Sequence, residues 1–406
     1  MQKKLNVFVA IALLSAGLAT SCDDDESTPT SSVEIATPKV AEGYESTSST
    51  TKVTATNTTT GEVRTFELDS TSTIVLADGL YDIVLTTEGT QKVGEKEEAI
   101  TLRAVVQNVV VSGGSMQLSD ITFVPIAQTS GFKIVEVGLS SVLPEGVSSY
   151  NGDQYFRIFN TGKDTLYADG LCIFESGWTS GNDYSNELTP DYRKESVVVG
   201  ALYQIPGSGK EHPVAPGESI LICDVAKDHT ADNVNSWDLS EADFEWYDET
   251  KGNQDTDTET PNLTNIYKKS ATIWLPNKQG NTSFGICFLP DNMSAEQFIE
   301  CYAYDYSYLF VFGELVKTMT NSYYYIPNSW IADFVCLAPG DTEGQKAWYL
   351  DGNPIETSYV SLGESGKDAN RLGKAARRKV VDGAFVDTDD SANDFEVVEA
   401  NPHYEF

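Results

Sequence analysis

Val53-Thr54-Ala55-Thr56-Asn57, then Thr58-Thr59-Thr60-Gly61, then Val63-Arg64-Thr65-Phe66-Glu67-Leu68: apolar and polar residues alternate, turn, and alternate again. Side chains of an extended strand point to opposite faces in succession, so this alternation makes one buried and one wet face. The pattern continues outward. Ile74-Val75-Leu76 leads through Asp78-Gly79 into Tyr81-Asp82-Ile83-Val84-Leu85. Ala99 to Val111 is β-rich, Ser112-Gly113-Gly114-Ser115 turns, and Met116 to Pro125 returns. Short strands at this spacing predict a small all-β sandwich over residues 51–127.

A second, larger β region is expected over residues 128–406. Its strands begin with Phe132-Lys133-Ile134-Val135-Glu136-Val137 and Tyr155-Phe156-Arg157-Ile158-Phe159-Asn160. Leu166 to Ile173 and Ser219-Ile220-Leu221-Ile222-Cys223 follow. Residues 226–272 are rich in Asp, Asn, Glu and Thr and read as a long polar insertion, although Phe244, Trp246 and Tyr247 interrupt it. Ser294 caps a predicted helical turn over residues 294–300.

The amino terminus carries an address. Lys3 and Lys4 precede the apolar run Val7 to Leu18, which is too short to span a bilayer, and Ala19-Thr20-Ser21 are small. Residues 1–21 therefore read as a signal peptide. Cys22, followed by Asp23-Asp24-Asp25-Glu26, resembles the lipidation site and surface-export signal of Bacteroidota lipoproteins. The resemblance implies a cell-surface protein anchored to the outer membrane by acyl chains on Cys22. Residues 22–50, poor in aromatics, are expected to be an acidic Ser/Thr-rich tether.

Further resemblances rest on particular motifs. Leu76-Ala77-Asp78-Gly79-Leu80-Tyr81-Asp82-Ile83-Val84 is similar to a strand of transthyretin-like, carboxypeptidase-regulatory-like modules, in which the Tyr packs inward. Ile134, Glu136 and Val137, then Tyr155 to Asn160, then Leu166, Gly170 and Leu171, then Pro216-Gly217 before Ile220 resemble the lamin-tail-like sandwich. The segments Ile326 to Val335 and Asp387 to Phe395 resemble a Bacteroidota lipoprotein family of unknown function, DUF4876. Together these imply two immunoglobulin-like sandwiches used for adhesion or scaffolding, the second lamin-tail-like with insertions, and bring no catalytic residues.

Charge narrows the partners. Lys3 and Lys4 are the only charges of the signal segment, so its loss takes the formal −34 to −36. Such a chain repels nucleic acid and anionic lipid, and nucleic acid is excluded as a main partner. Apart from Cys22 the cysteines are Cys172, Cys223, Cys287, Cys301 and Cys336. Their apolar neighbours and odd number argue for small buried thiols rather than a disulfide framework.

Catalytic signatures are missing. There is no Gly-x-Ser-x-Gly elbow, no His-Glu-x-x-His, and only His212, His229 and His403 as histidines. Calcium is the one cofactor with a candidate site, at Asp387, Asp389, Asp390, Asn393 and Asp394, which crowd oxygen ligands into eight residues. The EF-hand pattern fails there, since Ala392 and Val398 hold the sixth and twelfth positions. An acidic turn bonding its own amides is the competing account. Tyr302, Tyr304, Tyr306, Tyr308, Phe310 and Phe312 share one face of a strand. Either they stack on a flat ligand or they join the core, and Phe310 and Phe312 at the far end point to burial. Asp333 is expected to be buried and paired, with Arg157 as candidate partner. Asp69-Ser70-Thr71, Asp164-Thr165-Leu166 and Asp390-Ser391-Ala392 resemble the short O-glycan acceptor motif of the phylum.

These observations lead to a non-catalytic binding, scaffold or adhesion module. Its expected partners are an outer-membrane TonB-dependent transporter or an extracellular glycan or protein. The alternatives are a polymer hydrolase using two carboxylates some 5–10 Å apart, and capture of an iron chelate or haem by tyrosine.

Overall fold

A computed structural model describes residues 29–406 except 42–43, 69–71, 94–95, 127–130, 181–187, 253–254, 291–292, 313–314, 341–349 and 351. The expected signal peptide 1–21, the expected lipidation site Cys22 and the Asp69-Ser70-Thr71 motif lie outside the described residues.

The amino-terminal part is a sandwich of two sheets. The strand Thr30–Ile35 lies between Thr73–Ala77 and Ser115–Leu118. The facing sheet is built on the long hairpin Gly79–Val93 and Lys96–Val111, extended by Thr51–Asn57 and Val63–Leu68 on one side and by Thr122–Ile126 and Lys39–Val40 on the other. The alternating strands around Thr58–Gly61 pair as their pattern requires, Val53 opposite Phe66 and Ala55 opposite Arg64. Val53, Ala55, Ile83, Leu85 and Leu102 meet Val33, Ile35, Ile74 and Leu76 in one core, and Tyr81 is buried there. This corrects the expected tether. Thr30–Ile35 alternates in burial and fills the core, so the folded sandwich reaches back to residue 30 rather than beginning at 51.

The carboxy-terminal part is a second, larger sandwich. Its six-stranded sheet runs Phe244–Glu245, Ser219–Cys223, Tyr155–Asn160, Phe132–Gly138, Lys374–Arg378, Phe395–Glu399. Its eight-stranded sheet includes Leu171–Ser176, Ser196–Gln204, Phe284–Phe288, Ala303–Phe312, Leu315–Pro327 and Ile331–Val335. Ile134, Phe156, Ile158 and Ile222 pack against Ile173, Tyr203, Phe284 and Ile286 between the sheets.

The insertion is a folded part of this sandwich. Trp237, Leu239 and Ala242 cover the outer face of the six-stranded sheet against Tyr155, Leu221 and Cys223. Phe244 and Trp246 enter the inter-sheet core, and Thr264–Lys268 pairs with Ser196–Gln204. Burial of large aromatics offsets the polarity of the surrounding segment. The helix Ala295–Cys301 forms behind Ser294, whose hydroxyl accepts from the Gln297 amide while the Gln297 side chain accepts from the Ser294 amide.

The motif residues tie this fold together. A register shift between Ile134 and Glu136 turns Glu136 away from the core. There it accepts from the Tyr155 hydroxyl, from Arg377 Nε at 2.5 Å and from the Asn401 amide at 2.9 Å. Buried Asn160 donates to the carbonyls of Asp164 and Val214 and accepts from the Gly162 amide.

Candidate functional site

The site is built around Arg378. Two neighbouring strands of the six-stranded sheet carry Lys133 and Arg378, the facing eight-stranded sheet brings Asp333 to them, and the acidic turn 387–394 lies against all three. Arg378 donates through Nη2 to both oxygens of Asp333 (2.9 and 2.7 Å), through Nε to the Ile134 carbonyl and through Nη1 to the Val386 carbonyl. Its guanidinium lies over the Phe395 ring at 4.4 Å. Lys133 Nζ stands 2.6 Å from Asp387 and 3.6 Å from Asp333. Burial works against the charge on Arg378 and Lys133, but the surrounding carboxylates raise both above their ordinary values. Burial pushes Asp387 up, yet Lys133 and Arg378 hold it below the usual carboxylate range.

The structure brings Asp387, Asp389, Asp390, Asn393 and Asp394 together but meets their charge with protein groups. Asp387 and Asp394 face Arg378, at 3.3 and 3.6 Å. Asp394 also accepts from the Thr388 amide and hydroxyl. Asp390 caps the short helix Ser391–Asp394, accepting from the Asn393 amide and from the Ser358 hydroxyl. Asn393 donates to the Thr388 hydroxyl at 2.9 Å. Asp389, held at φ 53°, pairs with Arg103 of the first sandwich at 2.7 Å. A calcium ion here would have to displace Lys133, Arg378 and Arg103, so the arrangement is that of an ion-pair network and not of an oxygen cage.

The turn also forms one wall of a cavity of about 620 Å³ between the two sandwiches. The opposite wall is the outer face of the first sandwich, where Thr54, Thr56, Thr65 and Thr86 line up beside Lys52 and Arg103. Two further bonds clamp the sandwiches: Gln107 donates to the Thr357 carbonyl at 2.7 Å and accepts from the Gly352 amide at 3.0 Å. A second cavity, of about 650 Å³, opens on the other side of Asp387, which lines both. Phe159, Phe385, Phe406 and Lys133 are among its lining residues.

The remaining predicted residues are distributed elsewhere. Asp333 is buried and paired, with Arg378 and Lys133 and not with Arg157. Arg157 lies on the other face of its strand, bonded to the Ser219 hydroxyl and lying over the Phe406 ring. The aromatic face is divided. Tyr304 and Tyr306 are buried beside Trp178; Tyr304 donates to the Pro190 carbonyl and Tyr306 accepts from Trp178 Nε1. Phe310 is 42% exposed, which corrects its expected burial, and the Phe312 side chain lies outside the described residues. All five described cysteines are free and four are buried; Cys301 is exposed. Ser391 of the third O-glycan motif is buried and accepts from the Cys336 amide, whereas Thr165 is exposed.

Arg103 and Glu356 carry no signal in the sequence that marks them as site residues. Arg103 sits among apolar strand residues, and only docking of the second sandwich explains why it is 2% exposed. Glu356 accepts from the Ser391 amide; burial, then Asp394, Asp389 and Asp390, push its carboxyl well above the ordinary value.

Fold and site thus define an all-β protein of two sandwiches with a buried ion-pair network and polar cavity at their junction. The profile of the family "Protein of unknown function (DUF4876)" matches residues 215–401. A crystal structure of a DUF4876 family protein from Bacteroides thetaiotaomicron VPI-5482 is similar in fold, with a TM-score of 0.51, 18% identity, and coverage of 90% of this chain and 94% of that one. Comparison with curated proteins found no match.

Proposed function

We propose that the chain is a non-catalytic surface lipoprotein that binds or scaffolds an extracellular glycan or protein, anchored by acyl chains on Cys22 and working beside an outer-membrane TonB-dependent transporter. One observation carries the binding role: the cavity between the sandwiches sets a row of threonine hydroxyls opposite an acidic turn whose carboxylates are already bonded to protein groups. Hydroxyls and engaged carboxylates offer hydrogen bonds to a polar ligand. They are poorly suited to general acid–base work, because Asp387, Asp389 and Asp390 are each committed to a protein donor or cation. The sequence of residues 1–21 and the acidic run Asp23-Asp24-Asp25-Glu26 after Cys22 support surface display.

The test is recovery of partners by the anchored full chain from its native outer membrane, with and without Thr54→Trp, which fills the cavity. A partner retained by wild type and lost with Thr54→Trp supports the reading. Hydrolysis of a glycan or peptide by the purified chain, abolished by Asp389→Asn or Asp390→Asn, overturns it.

A further inference from the structure

Away from the junction, the second sandwich gathers one histidine and two carboxylates that neither the network nor the cavities use. Pairing of Leu166–Tyr167 with Pro213–Val214 sets Asp169 against the segment 207–212. The Asp169 carboxylate accepts from the amides of Gly209 (3.1 Å), Glu211 (2.9 Å) and His212 (2.9 Å), which fix its position. Burial opposes its charge, but these amides hold the carboxyl below its usual range. Glu211 is exposed and uses one oxygen to accept from the Ser208 hydroxyl. The His212 ring is set edge-on to Phe244, with centroids 4.9 Å apart.

His212 differs from the other two histidines. His229 uses both ring nitrogens, on the Tyr150 hydroxyl and the Val225 carbonyl, and His403 bonds the Asp238 carbonyl. Among the described residues neither ring nitrogen of His212 has a hydrogen-bond partner, yet its ligand atom and those of Asp169 and Glu211 all lie within 4.8 Å of one another. Ligands on one tetrahedral zinc stand about 3.3 Å apart, and the Glu211 side chain is exposed, with room to move toward the other two. The geometry points to a zinc site formed by Asp169, Glu211 and His212, with a fourth position open to water or a ligand atom. An imidazole with two carboxylates suits a borderline ion such as zinc, whereas calcium prefers oxygen alone.

Titration calorimetry of the full chain with zinc chloride alone tests this. One zinc per chain is expected. His212→Ala should weaken binding by about 10-fold or more, and Glu211→Gln, which alters only an exposed carboxylate, should weaken it in the same direction. The metal-free melting temperature of Glu211→Gln should match wild type, so its loss of zinc cannot be ascribed to unfolding. No uptake of zinc by wild type, zinc affinity undiminished from wild type in both variants, or calcium chloride bound as tightly as zinc chloride would each overturn the site.

Discussion

Arg103 of the first sandwich and Asp389 of the second meet at 2.7 Å, one side chain almost wholly buried and the other partly open to solvent. The pair is therefore asymmetric. Asp389→Asn should cost more stability than Arg103→Met, because it strands a buried guanidinium while the reverse change frees a carboxylate that water reaches. Asparagine tolerates the positive φ of position 389 as well as aspartate does, so the backbone does not confound the comparison. Urea unfolding of both variants measures the order, and equal losses would contradict it.

Arg378 and Asp333 form a buried ion pair with a separation of 2.7 Å. Arg378→Met leaves Asp333 buried with the Ile134 amide and Lys133 as partners and takes the guanidinium from Asp387 and Asp394, and a loss of about 3–5 kcal/mol is expected. Adding Asp333→Leu should recover part of that loss, since the stranded charge is gone. A double variant less stable than Arg378→Met would show that the pair itself, and not the orphaned carboxylate, dominates.

Glu356 and Asp387 should give opposite pH dependences. The Glu356 carboxyl is raised well above 4.5, so its contribution is fully present below the unfolded value and is lost as pH rises through the folded one. Glu356→Gln keeps an acceptor for the Ser391 amide and removes the charge. It should gain on wild type as pH is raised, by about 1.4 kcal/mol for each pH unit between those two values. Asp387 is lowered below 3.8, so its contribution is full above that value and is lost as pH falls through the folded one. The deficit of Asp387→Asn should therefore shrink in acid. Denaturant midpoints across about pH 3–9 on the two variants check both signs.

Tyr304 and Phe310 lie on the same face of one strand at opposite depths, 1% and 42% exposed. Tyr304→Ala should cost about 3–5 kcal/mol, and Phe310→Ser should fall within about 0.5 kcal/mol of wild type. Thermal unfolding separates the two.

Thiol labelling of native protein should modify Cys301 and spare the other four described cysteines. Burial raises the thiols of Cys223, Cys287 and Cys336 well above their ordinary value and keeps reagent out. Labelling of the buried thiols before denaturation would contradict this arrangement.

Local patterning carried much of this fold. Alternation in 53–68 and 81–85, the Gly-rich turn at 112–115 and the cap at Ser294 depend on neighbours a few residues away, and each appears where its chemistry requires. The acidic turn 387–394 was equally visible as a composition. The order of residues alone thus specifies the strands and the places where charge gathers. What answers that charge emerges on folding: Arg378 for Asp333 rather than Arg157, Arg103 for Asp389, and aromatic burial for the polar insertion. The reason is range. A strand's period is written in adjacent residues, whereas the partner of a buried charge is whichever cation chain topology carries to it, from 45 residues away for Arg378 and from another sandwich for Arg103.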